Sequence, residues 1–150
     1  MTARYDLGGK GTPAGLAFDV KNRVLFVACR TPAPGAMVIL NADTGKILET
    51  LPLAGASDGA VFNPATMEAF SSQGNGTLSI IKEQSPTSFV VEQTVETMVS
   101  AKTLTLDSKT NRILLIAAES GPPTPPTTPG GRPGRGPMIP GSFSILVVGK

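Results

Sequence analysis

One five-residue stretch of this chain returns twice at a fixed step, and no other feature restricts its fold so tightly. Gly15-Leu-Ala-Phe-Asp19, Gly59-Ala-Val-Phe-Asn63 and Thr103-Leu-Thr-Leu-Asp107 follow one another at 44 residues. A second set, Arg23-Val-Leu-Phe-Val-Ala28, Met67-Glu-Ala-Phe-Ser-Ser72 and Arg112-Ile-Leu-Leu-Ile-Ala117, keeps the step to within one residue. A third set, Gly35-Ala-Met-Val-Ile-Leu40, Gly76-Thr-Leu-Ser-Ile-Ile81 and Gly141-Ser-Phe-Ser-Ile-Leu146, closes each unit. Short apolar strands and turns recurring with a period in the low forties are the signature of a four-stranded β-propeller blade. The expected fold is therefore all-β, a partial β-propeller of about three four-stranded antiparallel blades.

The strands assign themselves within that frame. Gly, Ala and Thr mark the innermost strands, where blades crowd near the axis. Near-continuous aliphatic runs such as Ile113-Leu-Leu-Ile-Ala-Ala118 suit strands buried on both faces. Mixed polar and apolar segments, 46–53 and 88–95, suit outer strands partly in water. Asn63-Pro-Ala-Thr66 and Asp107-Ser-Lys-Thr-Asn111 read as type I turns, Asp43-Thr-Gly45 as a turn into the outer strand, and Asn75-Gly76 as a two-residue hairpin turn. The expected organisation of residues 1–150 is one propeller segment. It holds an outer-type strand at 2–7, a blade at 14–53, a blade at 58–96 and a blade at 101–150. The last blade carries an insertion at 121–141, with eight prolines and six glycines, read as an extended, mobile, polyproline-rich excursion.

Composition limits function more than it defines it. Thirteen basic against 11 acidic residues leave a net charge of +2, too little to imply nucleic acid or an anionic membrane as partner. No apolar run reaches the roughly 18 to 20 residues of a membrane span, and residues 1–9 lack the apolar core of a secretory signal. The single cysteine, Cys29, ends an apolar strand and reads as a small buried hydrophobe.

Motifs that could carry chemistry fail on context. Gly55-Ala-Ser-Asp-Gly59 fits the G-x-S-x-G nucleophile pattern, but the chain has no histidine to serve as base, and the segment joins an outer strand to an inner one. Gly8-Gly-Lys-Gly-Thr12 lacks the order of a phosphate loop, and Ser79-Ile-Ile-Lys82 alternates on a strand, where its ends share no helical face. Asn41-Ala-Asp-Thr-Gly45 lacks the later carboxylates of a calcium loop, and Asn75-Gly-Thr77, a formal glycosylation sequon, is explained by a hairpin turn. No catalytic residue, metal ligand or cofactor is therefore expected from this chain. What remains is positional. Connections that emerge at the mouth of the central channel carry Lys10, Arg30, Asp58, Asn75, Lys102 and Glu119, and charged groups converging on a concave mouth form the candidate binding site.

The returning units, with Phe18-Asp19, Phe62-Asn-Pro64, Asp43-Thr-Gly-Lys46, Asn75-Gly-Thr77 and Asp107-Ser-Lys-Thr110, resemble the YncE-like bacterial proteins of the YVTN β-propeller repeat family. The resemblance spans nearly the whole chain and matches the C-terminal portion of such a protein, with Phe26-Val27, Phe70-Ser71 and Leu115-Ile116 departing from the tyrosine-valine signature. It implies a larger ring, commonly of seven blades, an exported protein in the periplasm or outside the cell, and, in one relative, single-stranded DNA binding.

Three functions follow as expectations. The first is a non-enzymatic scaffold binding a ligand or protein at the channel mouth. The second is part of a propeller enzyme, lactonase-like or quinoprotein-related, whose catalytic residues lie outside this chain. The third is single-stranded DNA binding, with Arg132 and Arg135 as its local support. It ranks last, because all six phenylalanines fall in strands and only Tyr5 is left for base stacking. Since propellers close with about four to eight blades, three blades imply further ones. These come from a longer parent or from a second copy, forming a six-bladed homodimer.

Overall fold

A computed structural model describes residues 2–128, 130–131 and 133–149. It contains eleven strands in three antiparallel sheets, and no helix among the described residues. Blade 1 is β1 (Gly11–Asp19), β2 (Val24–Thr31), β3 (Ala36–Asn41) and β4 (Ile47–Pro52), hydrogen-bonded in that order. Blade 2 repeats the order with β5 (Ser57–Asn63), β6 (Glu68–Gln73), β7 (Thr77–Ser85) and β8 (Ser88–Glu96). Blade 3 has three strands, β9 (Lys102–Asp107), β10 (Arg112–Ala117) and β11 (Ser144–Val148), with β11 at the free edge. The inner strands β1, β5 and β9 pack side by side in sequence. These are three adjacent blades of a propeller.

Two apolar layers hold the blades together, because strands buried on both faces send alternate residues to opposite neighbours. Between blades 1 and 2, Phe26, Met37 and Ile39 meet Ala69, Ile81 and Phe89. Phe26 stacks on Phe62 at 5.3 Å and meets the edge of Phe89 at 5.8 Å. Between blades 2 and 3, Phe70 and Leu78 meet Ile113, Leu115 and Ala117. The small residues of the inner strands are required near the axis. A Cβ on Gly15 would fall 2.6 Å from the backbone nitrogen of Ala60, and one on Gly59 would fall 2.8 Å from Leu104.

The first turn of each blade repeats in conformation as well as position. Asp19, Asn63 and Asp107 each accept a backbone N–H two residues on, from Lys21, Ala65 and Lys109. Four residues after each of them, Arg23, Met67 and Asn111 hold φ of 57°, 54° and 55°. Non-glycine residues seldom adopt the left-handed region. Three do so here at the 44-residue step.

Two expectations are corrected. Residues 2–7 make no ladder and form no strand; instead Tyr5 and Leu7 cover Val27, Cys29, Val38 and Leu40 on the outward face of blade 1, and the Tyr5 hydroxyl donates to the Ala42 carbonyl at 3.0 Å. The edge that lacks an outer strand belongs to blade 3, at the other end of the arc, and the short link 8–10 keeps residues 2–7 beside β1. The turn at Asn75-Gly76 spans three residues, 74–76, because Gln73 pairs with Thr77 and Gly76 takes φ of 89°. Blade 3 draws three strands from residues 101–150.

Within the excursion at 121–141, described residues bond to one another across it. Thr124 and Gly134 exchange N–H to carbonyl bonds at 3.1 and 3.0 Å, and Gly121 donates to the Pro137 carbonyl at 2.8 Å.

Candidate functional site at the channel mouth

The antiparallel order brings the starts of β1, β5 and β9 and the ends of β2 and β10 to one end of the blades, together with the turn from β6 to β7. That end carries Lys10, Arg30, Asp58, Asn75, Lys102 and Glu119. Each inner strand reaches it through a β-bulge. Ala14 is the unpaired residue of β1 and Asp58 that of β5, while in β9 the irregularity lies one residue later, at Thr103. A bulge bends its strand and re-aims the side chain it carries.

At Asp58 the result is an ion pair between blades. The Arg30 guanidinium donates through Nη2 to Asp58 Oδ1 at 2.5 Å and through Nε to the Ser57 carbonyl at 2.6 Å. Arg30 is 40% exposed and Asp58 14%, so the pair is only partly withdrawn from water and fixes geometry more than it adds stability. Asn75 acts as a clasp. It donates to the Ala54 carbonyl at 3.1 Å, accepts from the Thr77 hydroxyl at 2.7 Å, and fills the space over Gly55. Lys102 and Glu119 are exposed, and Lys10 is half-buried, its N–H donating to the Leu7 carbonyl. The structure therefore joins Arg30 to Asp58, locks Asn75 into the rim, and leaves Lys102 and Glu119 facing water.

Beneath the rim, blade 2 carries a polar network that sequence reading missed. The Ser57 and Ser71 hydroxyls are hydrogen-bonded at 2.9 Å, Gln73 Nε2 donates to the Ser71 carbonyl at 2.7 Å, and Gln73 Oε1 accepts from Thr77 and Ser79. The only sequence signal was polar Ser71 and Gln73 on a strand otherwise built for the core. Ser57, the serine of the G-x-S-x-G match, is fully buried in this network and committed to it.

The opposite end holds a second buried polar group between blades 1 and 2. Asn22 Nδ2 donates to Glu83 Oε1 at 2.7 Å, and the Asp19 carboxylate accepts the N–H groups of Lys21 and Asn22. Glu83 is 2% exposed, and its other oxygen is without a hydrogen-bond partner. Burial pushes the Glu83 carboxyl above its ordinary range; the nearby Asp19 adds to this, and the Asn22 bond opposes it. At the remaining sites, burial pushes the Cys29 thiol up, and Arg135, on the excursion, donates to the Ser120 hydroxyl at 3.0 Å. Arg132 lies outside the described residues. Among the described residues, no three of His, Cys, Asp and Glu group so as to hold a metal ion, and no helix is long and apolar enough to cross a membrane.

No protein-family model matches the chain, and no curated protein matches it in sequence. Solved structures do resemble it. Kuenenia stuttgartiensis hydrazine synthase superposes with a TM-score of 0.61 at 10% identity, covering 74% of this chain and 31% of that one. BamB from Moraxella catarrhalis does so with a TM-score of 0.54 at 21% identity, over 70% of this chain and 31% of that one. The β-propeller domain of Myceliophteria thermophila Cps50 (Swd1) is matched over 71% of this chain and 49% of that one, with a TM-score of 0.38 at 12% identity. At such identities the likeness is one of fold. The chain spans about a third of the first two.

Proposed function

We propose that this chain is a non-enzymatic propeller scaffold that binds a ligand or protein partner at the channel mouth. We also place it with the YncE-like YVTN-repeat propellers, on the motifs quoted above. The observation that carries the binding reading is the Arg30–Asp58 pair, which ties blade 1 to blade 2 at the rim and sets a fixed charge geometry beside the free ammonium of Lys102. Rigid elements that present polar groups around a concavity are the usual construction of a recognition site. The ring that this mouth belongs to needs further blades, from a second copy or from a longer chain.

The test is a peptide array of mixed charge, probed with the chain, with Asp58→Ala/Lys102→Ala, and with Lys21→Ala/Lys109→Ala from the opposite end. Peptides captured by the mouth are expected to lose about tenfold in affinity in the first variant, equivalent to ~1.4 kcal/mol, and nothing in the second. Equal binding by all three proteins would overturn the assignment to the mouth.

A further inference from the structure

We propose that the Asp19 and Glu83 carboxyl groups share one proton across the interface of blades 1 and 2, and that its loss opens this interface at the end away from the mouth. Both groups are almost fully buried, at 1% and 2% exposed. Asn22 spans them, its backbone N–H donating to Asp19 Oδ2 at 3.2 Å and its Nδ2 to Glu83 Oε1 at 2.7 Å. The remaining oxygen, Glu83 Oε2, has no hydrogen-bond partner, and the group beside it is the Asp19 carboxylate. Two acids therefore meet at a packed interface within the span of one asparagine.

The donors decide where the proton sits. Asp19 Oδ1 accepts the Lys21 N–H at 2.9 Å and Oδ2 accepts that of Asn22, so both its oxygens are satisfied in the ionised form. Glu83 Oε1 is satisfied by Asn22, which leaves Oε2 as the one unpaired oxygen of the four. A proton on Oε2 makes it a donor toward Asp19, and all four oxygens are then paired. Without that proton two negative charges face each other in a site closed to water, which is costly for like charges. The raised pKa of Glu83, set by burial and by Asp19 against the bond from Asn22, agrees with this.

Among the described residues, no nearby cation takes the place of the proton. From blade 1, the turn after β1 presents Lys21, which is exposed, and Arg23, whose guanidinium is engaged by Asp43 at 2.7 Å and by the Phe18 ring. The turn from β3 to β4 adds Asp43 itself and Lys46, both exposed. On blade 2, Lys82 precedes Glu83 on β7 and so takes the opposite face, where its Nζ donates to the Thr66 carbonyl at 2.5 Å and Glu68 is its cross-strand partner. From β8, Phe89 stands opposite Glu83 and meets Phe26 edge on. The same interface has a second polar tie at the mouth, Arg30 to Asp58, and the rings of Phe26, Phe62 and Phe89 lie between the two. Loss of the proton thus frees one end only. The turn at 20–22 lifts from β7 to let water reach Oε2, and the mouth end keeps its ion pair. A charge change at one point biases a packed interface in this way.

The test follows the carboxyl carbon of Glu83 by NMR from pH 4 to pH 9 in the whole chain labelled at glutamate, its signal assigned by its absence in Glu83→Gln. It is expected to titrate above the ordinary glutamate range, with the Asn22 side-chain amide shifting at the same midpoint. Asp19→Asn removes the facing charge and offers Oε2 an N–H donor, so it should move that midpoint to lower pH. Hydrogen exchange, corrected for its intrinsic pH dependence, should show residues 20–24 losing protection as Glu83 ionises while residues 54–58 keep theirs. In Asp19→Asn and in Glu83→Gln that loss should be absent at the pH where the parent shows it. An ordinary midpoint, a midpoint unmoved in Asp19→Asn, or a turn equally protected on both sides of the midpoint would each overturn the proposal. Where Asp19→Asn does not fold, the parent titration and the exchange of Glu83→Gln decide it. No ligand enters these measurements, so their outcome is separate from that of the mouth reading.

Discussion

Replacing Glu83 by glutamine is expected to stabilise this protein at neutral pH and to do nothing at acid pH. Glu83 is buried between blades 1 and 2, with Oε1 satisfied by Asn22 and Oε2 unpartnered near Asp19. Its folded pKa is raised, so the native state holds the proton to a higher pH than the unfolded chain does. The contribution of the group to stability is therefore full below the unfolded pKa, near 4.5, and is lost as pH rises through the folded value. The introduced amide would keep the oxygen that accepts from Asn22 and place an N–H donor beside the Asp19 carboxylate. A buried polar group left unpaired costs about 1 to 3 kcal/mol, and taking the lower half gives a gain of roughly 1 to 2 kcal/mol at pH 7.5. At about 2 to 4 °C per kcal/mol for a chain of this size, the melting temperature should rise by roughly 2 to 8 °C. At pH 4, where Glu83 is protonated and can itself donate to Asp19, the two proteins should melt together. Thermal and urea unfolding of both proteins from pH 4 to pH 8 measures this. An equal shift at every pH, or a loss at pH 7.5, would refute the argument.

Two more outcomes follow from the packing. Gly15→Val places its Cβ against the backbone of Gly59 and Ala60, neither of which is a movable side-chain end, and should cost about 1 to 3 kcal/mol as overpacking, read as a lower urea midpoint. Cys29 is fully buried and its thiol is pushed up by burial, so a thiol reagent at pH 7.5 should leave it unmodified until denaturant is added; rapid labelling of the native chain would contradict its place in the core.

The fold was legible because the forces that make it are local or periodic. Apolar runs of strand length, the Asx turns at Asp19, Asn63 and Asp107, and small residues at Gly15 and Gly59 all repeat at one step, and each has a direct physical reading. The state of residues 2–7 was less legible, since they have the composition of an outer strand whether or not a third strand lies beside them. The mouth was legible as a set of positions, not as contacts. Arg30 and Asp58 are 28 residues apart, and what joins them is a bulge that no residue type announces. Glu83 and Asn22, 61 residues apart, meet only because two blades stack, and no motif in the sequence sets Glu83 apart from the other acidic residues.

The left-handed turns at Arg23, Met67 and Asn111 show what this repeat hands from unit to unit. A cation, a thioether and an amide have no chemistry in common, yet all three hold the same positive φ within a few degrees. Handedness at this hinge governs how the chain doubles back from the first strand of each blade into the second. Side chains there are free to take on separate errands: Arg23 reaches Asp43 and the ring of Phe18, while Asn111 meets Asn63 across the interface. Two sequences could therefore share no letter at this hinge and still build interchangeable blades, so a comparison of torsions would recognise kinship here that a comparison of letters passes over.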